Sequence, residues 1–332
     1  MKHIMTFCLL IVFILQILVF SACSNLSSEI ETISESGLFV PETSLQTGNV
    51  NQIETMNKTK TETTTEISDT SEDGTDRSFL LYLSGIDVWG ATETESRSDV
   101  NILMAVNRDT HKIQIVNTPR DYYVPMPVSG GSRDKLTHAG LYGIDNSKGA
   151  LESLYDVDID YYIRLNFSGF EAIIDAVGGI DVYSEYDFTV DPIKHYTEGM
   201  NHLTGLESLA FVRERKSFAA GDVQRGKNQM EMVKALISKF TEEETLRSYD
   251  QWMDEALRLL YQTDLPADLM VSLMKDQLQN HPKWEIETYY VTGYDSYEYT
   301  YSIPDMEVYV MVPDEEEVSK GGELLRAVLE SE

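Results

Sequence analysis

The chain has 332 residues and a formal net charge of −30. That acidity excludes the broad basic surface with which proteins neutralise a nucleic-acid backbone, and it disfavours unaided adhesion to anionic lipid. Its two cysteines, Cys8 and Cys23, both lie at the amino end. The remainder is therefore expected to have neither a disulfide nor a thiolate-held metal, and its scattered histidines form no H-x-x-x-H pair.

From Ile4 to Phe20 the chain is almost continuously apolar after a short amino end bearing Lys2. This reads as a secretory h-region or a short spanning helix. Phe20-Ser21-Ala22-Cys23 resembles a lipoprotein cleavage box, in which the cysteine becomes the lipidated first residue. Residues 1–23 are thus a lipoprotein leader or an uncleaved anchor, and either places the rest outside the cytoplasmic membrane. Residues 24–77 are rich in Ser, Thr and Glu, with Phe39 as the sole aromatic. They are too polar to offset ordering entropy and read as a disordered acidic tether, with a reach of roughly 40 Å as a flexible coil.

A single ordered domain is expected over 78–332. The apolar runs Phe79–Ile86 and Val100–Val106 and the alternating run His111–Val116 read as strands, the last two as a hairpin. Tyr161–Asn166 reads as a strand, and Ser168–Val177 as a helix with a Ser168/Glu171 capping box, ended by Gly178 and Gly179 before a strand over Ile180–Tyr183. This strand-helix-strand order points to an α/β fold. Thr204 and Glu207 repeat the capping signature. From Gln224 to Phe240 the spacing is helical, with Met230, Val233, Leu236, Ile237 and Phe240 on or near one face. Helical patterns continue at Gln251–Gln262 and Pro266–Gln277. Strands are then expected over Trp284–Val291 and Glu307–Val312, and a final helix after Pro313.

Phe211 to Gln229, FVRERKSFAAGDVQRGKNQ, concentrates Arg213, Arg215, Arg225 and Gln229 in an otherwise acidic protein. Guanidinium forks match phosphate oxygens, so the segment reads as an anion site or, equally, as a solvated basic helix flank. Asp87 closes the first strand and Asp99 precedes the second, so two carboxylates fall near one end of paired strands, where they could hold a hydrated Mg2+. In Thr118-Pro119-Arg120-Asp121 the proline fixes the backbone ahead of Arg120, and Asp121 could orient that arginine or act as a base.

In this order the motifs GID, RSD, TPRD, DKLTHAG, DYYIRLNFSGFEAIIDAVGGIDV, HLTGLESLAFVRERK and GDVQRGKNQ resemble the LytR-CpsA-Psr family, membrane-anchored enzymes that attach glycopolymers to bacterial cell walls. The resemblance implies an α/β/α sandwich with a central mixed sheet around a hydrophobic tunnel for a polyprenyl chain. It implies pyrophosphate binding by Arg97, Arg120, Arg213, Arg215 and Arg225 with help from Gln229, and a metal at Asp87 and Asp99; Arg120, Asp99 and Asp121 are the catalytic candidates, Asp121 as base or as orienter of the arginine. The implied cofactor is Mg2+. The implied reaction moves a glycosyl phosphate from a polyprenyl-pyrophosphate carrier to a sugar hydroxyl of peptidoglycan. The partners would be that lipid-linked glycopolymer, peptidoglycan and, through the leader or a lipid on Cys23, the membrane, but no nucleic acid. Two residues depart from the family pattern: Gln224 stands where glycine is usual, and Asn228 where a further arginine is frequent. A surface lipoprotein that only binds polyprenyl phosphates, or a hydrolase of the same lipid, is the alternative.

Overall fold

The computed structural model describes residues 77–89, 96–248 and 262–332. The leader, nearly all of the expected tether and most of the helix expected over 251–262 lie outside these residues. In chain order, β1 (Ser78–Ile86), β2 (Ser98–Asn107) and β3 (Lys112–Asn117) are followed by the short pair β4 (Tyr123–Pro125) and β5 (Arg133–Lys135). Next come α1 (Leu136–Ala139), α2 (Ile144–Tyr155), β6 (Tyr161–Leu165), α3 (Phe167–Ala176), β7 (Ile180–Ser184), β8 (Phe188–Val190), β9 (Lys194–Tyr196) and β10 (Gly199–Leu203). Then follow α4 (Gly205–Arg213), α5 (Asp222–Thr241), α6 (Glu243–Arg247), β11 (Gln262–Thr263), α7 (Ala267–Asn280), β12 (Glu285–Tyr290), β13 (Gly293–Glu298), β14 (Val308–Pro313) and α8 (Glu315–Leu329).

Strand β1 is apolar on both faces, which suits only a central strand covered on both sides. It pairs antiparallel with β2 and parallel with β6, within a six-stranded mixed sheet ordered β11-β6-β1-β2-β3-β12. One set of alternating residues, Leu80, Tyr82 and Leu103, packs against Leu151 and Tyr155 of α2 and Val318 and Leu325 of α8. The other set, Phe79, Leu81 and Ile102, faces Met230 of α5 and Leu269 of α7. Helices on both faces of a mixed sheet make the expected α/β/α sandwich.

Two local expectations change. Helix α3 begins at Phe167, and its N-cap is Asn166, whose side chain accepts from the Gly169 N–H at 2.8 Å, in place of the Ser168/Glu171 box. Asparagine is among the best N-caps and sits immediately before the first helical residue, so it takes the orphan donor first. Strand β7 does not return to the main sheet. After Gly178 and Gly179, both at positive φ, it pairs antiparallel with β10. Ile180, Val182 and Leu203 then build a second core with Phe211 and Met232. The Thr204/Glu207 capping box forms as expected and fixes the start of α4.

Candidate active site

The site begins at a flaw in the sheet. Gly85 pairs with Val100 but Ile86 pairs with Ser98, so Asp99 is the extra residue of a β-bulge. The strands come so close there that a Cβ on Gly85 would lie 2.8 Å from the Val100 Cβ. Asp99 Oδ2 accepts from Arg120 Nη1 at 2.8 Å, and its Oδ1 from the Thr137 hydroxyl at 2.9 Å. Thr137 reaches Asp99 because α1 packs tightly on the RSD segment, where a Cβ on Gly140 would lie 2.4 Å from the Ser96 carbonyl. Fully buried Arg164 ties the two segments together, donating to the carbonyls of Ser96 at 3.0 Å and Gly140 at 3.2 Å.

Arg120 follows β3 and is largely buried. Burial opposes its charge, but Asp99, Asp121 and Asp222 outweigh burial and hold the guanidinium above its ordinary pKa. Asp121 lies 3.6 Å from Arg120 Nε and accepts from Lys135 Nζ at 3.0 Å, so it is shared by two cations.

The arginine segment enters through Gly221, at φ 48°, which starts α5. Asp222 in the first turn accepts from Arg225 Nη2 at 2.6 Å, and its other oxygen lies 3.8 Å from Arg215 Nη1. Arg225 is only 11 % exposed. Burial lowers its pKa, Asp222 opposes that shift, and the charge of Arg120 adds to it. The Nε atoms of Arg120 and Arg225 are both buried without a hydrogen-bond partner. Such donors are costly to leave unpaired, so each marks a place for an acceptor atom. Gly226 lets α5 press onto Tyr290, since a Cβ there would lie 2.2 Å from the ring. Gln229 accepts from Asn117 Nδ2 at 3.2 Å and donates to the Val212 carbonyl at 3.4 Å, bracing α5 against β3 and α4. Exposed Arg213 lies over the Phe167 ring, 4.3 Å from its centroid.

Between the sheet and α5 with α7 runs an apolar cavity of about 720 Å³. Leu81, Ile102 and Met104 form one wall, and Val233, Leu236 and Ile237 of the predicted helix stripe form another. Asp87, Asp99, Arg120, Arg213, Arg215, Arg225 and Gln229 also line it. A second recess, about 410 Å³, is lined by Arg120, Asp121, Lys135, Arg215 and Asp222 together with Tyr309 and Met311 of β14. The two spaces share Arg120 and Arg215.

The sequence-predicted residues thus converge, with two exceptions. Asp121 borders the recess and not the apolar cavity, while Arg97 is exposed and borders neither. Sequence reasoning missed Lys135, Thr137, Asp222 and Tyr309. Asp222 carried a readable signal, an acid three residues before Arg225 at a helix start. The departures Gln224 and Asn228 are buried, border neither space, and hydrogen-bond to each other at 3.1 Å.

Asp87 and Asp99 line the same cavity, and among the described residues no group of three or more His, Cys, Asp or Glu side chains comes together. Two carboxylates lining one cavity with an arginine cluster fit the donor chemistry of Mg2+, which takes one or two carboxylates and completes its shell with water and phosphate oxygens.

The sequence model of the LytR_cpsA_psr family matches residues 43–317. The chain is 35 % identical over 210 residues to a Bacillus mycoides polyisoprenyl-teichoic acid–peptidoglycan teichoic acid transferase TagU, covering 62 % of this chain and 67 % of that one. To the Bacillus subtilis transferase TagT it is 33 % identical over 234 residues, covering 66 % and 69 %. For the TagU of Bacillus cereus strain AH820 the match spans 63 % of the relative's length, less than two thirds. Among solved structures, B. subtilis TagV superposes with a TM-score of 0.65 at 26 % identity, covering 76 % of this chain and 98 % of that one. A TagT structure with bound octaprenyl pyrophosphate lipid gives 0.57 at 25 % identity, covering 79 % and 94 %.

Proposed function

The chain belongs to the LytR-CpsA-Psr family, and we propose that it is an extracytoplasmic phosphotransferase that moves a polyprenyl-pyrophosphate-linked wall glycopolymer onto peptidoglycan. One observation carries the reading: an apolar cavity of about 720 Å³ runs up to a cluster of guanidiniums, two of which hold buried N–H groups with no acceptor. The related TagT structure with octaprenyl pyrophosphate supports the same ligand class.

In this reading the isoprenoid occupies the apolar cavity and its pyrophosphate lies against Arg120, Arg213, Arg215 and Arg225, braced by Gln229. The acceptor hydroxyl oxygen bonds to the phosphorus that carries the glycopolymer. The bond from that phosphorus to the bridging oxygen breaks, polyprenyl phosphate departs with the electron pair, and the hydroxyl proton passes to a base or to solvent. The arginines act by being already in place where charge gathers on the leaving phosphate. Asp99, fixed by the bulge and by Thr137, holds Arg120 in line. Asp121, paired with Lys135 and beside Arg120, orients that arginine and stands near enough to the recess to serve as the proton acceptor. Asp87 and Asp99 would hold Mg2+, which when bound supplies further positive charge to the pyrophosphate oxygens. The leader, as a membrane anchor or with lipid on Cys23, keeps the domain at the surface where the carrier resides.

Incubation of the protein with a labelled polyprenyl-pyrophosphate oligosaccharide, Mg2+ and peptidoglycan tests this. Label on peptidoglycan is the expected result. Free sugar phosphate would make the protein a hydrolase, and absence of any turnover would make it a lipid-binding protein.

A further inference from the structure

The recess has a wall that the transferase chemistry above does not use. Tyr309 and Met311 of β14 line it, and their cross-strand partners on β13 are Tyr297 and Asp295. Paired residues of an antiparallel ribbon share a face, so Asp295 and Tyr297 stand on the same side as Met311 and Tyr309, next to residues that line the recess. Tyr297 is 66 % exposed, and its ring meets that of Tyr309 edge-on with centroids 6.1 Å apart. The Tyr309 hydroxyl donates to Asp295 Oδ1 at 2.8 Å, and Lys135 Nζ lies 5.6 Å from the centre of the Tyr309 ring.

We propose that Tyr297, Tyr309 and Asp295 are the seat of the acceptor sugar, a pyranose of the peptidoglycan glycan strand, a proposal that rests on the transferase reading. Three observations favour this occupant. In a phosphoryl transfer the attacking and leaving oxygens are roughly in line. With the leaving polyprenyl phosphate on the apolar side of Arg120 and Arg215, the attacking hydroxyl approaches from the other side of those residues, which is the recess. The recess is lined by the Tyr309 ring and the carboxylates Asp121 and Asp222, and the exposed Tyr297 ring and Asp295 extend the same ribbon face beside it; the C–H face of a pyranose stacks on such a ring, and the carboxylates accept from its hydroxyls. A lipid tail would gain nothing from that carboxylate set. The volume of about 410 Å³ lies in the range of roughly 300–1,000 Å³ usual for small-ligand sites.

The test uses the full chain, a soluble tetrasaccharide of alternating N-acetylglucosamine and N-acetylmuramic acid as acceptor probe, and octaprenyl pyrophosphate as donor-site probe. Tetrasaccharide binding is followed by saturation-transfer NMR, and the donor site by the rise in melting temperature with octaprenyl pyrophosphate. Tyr297→Ala and Asp295→Asn should each weaken tetrasaccharide binding at least fivefold and raise the KM for acceptor with kcat and the lipid-induced rise unchanged. Tyr297→Phe, which keeps the ring, should bind nearly as the parent does. Unchanged tetrasaccharide affinity in both Tyr297→Ala and Asp295→Asn, no binding to the parent, or a raised KM for the lipid-linked donor in place of the acceptor overturns the proposal. A parent that binds the tetrasaccharide but transfers nothing would sink the transferase reading instead, since the binding arm needs no turnover.

Discussion

Asp222 is the residue on which the charge balance of the site turns, and replacing it by asparagine keeps its shape while removing its charge. It holds Arg225 at 2.6 Å and stands 3.8 Å from Arg215, with Arg225 buried and Asp222 about 29 % exposed. A hydrogen bond to a charged group is worth about 1.5–3 kcal/mol. Unmasked repulsion among the neighbouring guanidiniums adds to this, and solvent at the partly exposed Asp222 takes back much of it. Asp222→Asn is therefore expected to cost about 2–3 kcal/mol. At about 2–4 °C per kcal/mol for a domain of this size, the melting temperature should fall by roughly 4–12 °C. Octaprenyl pyrophosphate with Mg2+ should then raise the melting temperature more in Asp222→Asn than in the parent, because the pyrophosphate supplies the missing negative charge. Differential scanning fluorimetry with and without the lipid reads both effects. An unchanged melting temperature in Asp222→Asn without lipid, or a smaller lipid-induced rise than in the parent, would refute the reasoning.

Other expectations follow from the same geometry. Arg213→Ala and Arg225→Ala should each abolish the lipid-induced rise in melting temperature while leaving circular dichroism unchanged; a full rise in both would remove the arginines from the headgroup site. Gly226→Ala should destabilise by about 1–3 kcal/mol in denaturant titration, since the added methyl collides with Tyr290, and a change near zero would mean that α5 does not pack as described. Burial would raise Asp134, but hydrogen bonds from His138 and Ser302 hold its carboxyl below the ordinary value near 3.8. Its stabilisation is therefore present above about pH 4 and is lost as pH falls through the depressed pKa. Asp134→Asn should lower stability at neutral pH and flatten the acid limb of a stability–pH curve, and an unaltered acid limb would count against the network.

Much of the site was legible because its parts are local. The apolar runs named the central strands, the stripe from Val233 to Ile237 named one wall of the cavity, and the arginine segment named three of the arginines that line it. Three features were hidden for a common reason. The bulge at Asp99 is a property of the pairing of β1 with β2, and no single-strand pattern distinguishes it from a regular ladder. Thr137 and Lys135 reach Asp99 and Asp121 from 38 and 14 residues along the chain. Tyr309 belongs to a ribbon whose placement depends on contacts such as Met311 N–H to the Asp121 carbonyl at 2.8 Å. Long-range register, and not residue chemistry, is what the linear pattern left open.

The departures at Gln224 and Asn228 acquire a physical meaning from that packing. One residue advances a helix by about 100°, so this i, i+4 pair occupies the stripe beside Arg225 and Gln229 and not the stripe that meets the headgroup cavity. Gln224 Nε2 donates to the Asn228 carbonyl oxygen at 3.1 Å and lies 3.3 Å from a carboxylate oxygen of Glu185, with both amide side chains buried. Where the family pattern has glycine and often arginine, this chain moves side-chain volume from the second position to the first. At the second position a neutral amide, Asn228, stands in place of a cation, and at the first the Gln224 amide faces Glu185. Relative to that pattern the chain carries one positive charge fewer on α5 beside the arginine cluster. Because neither side chain lines the cavity or the recess, the pair acts on a bound anion, in the proposed function, through charge and not through contact.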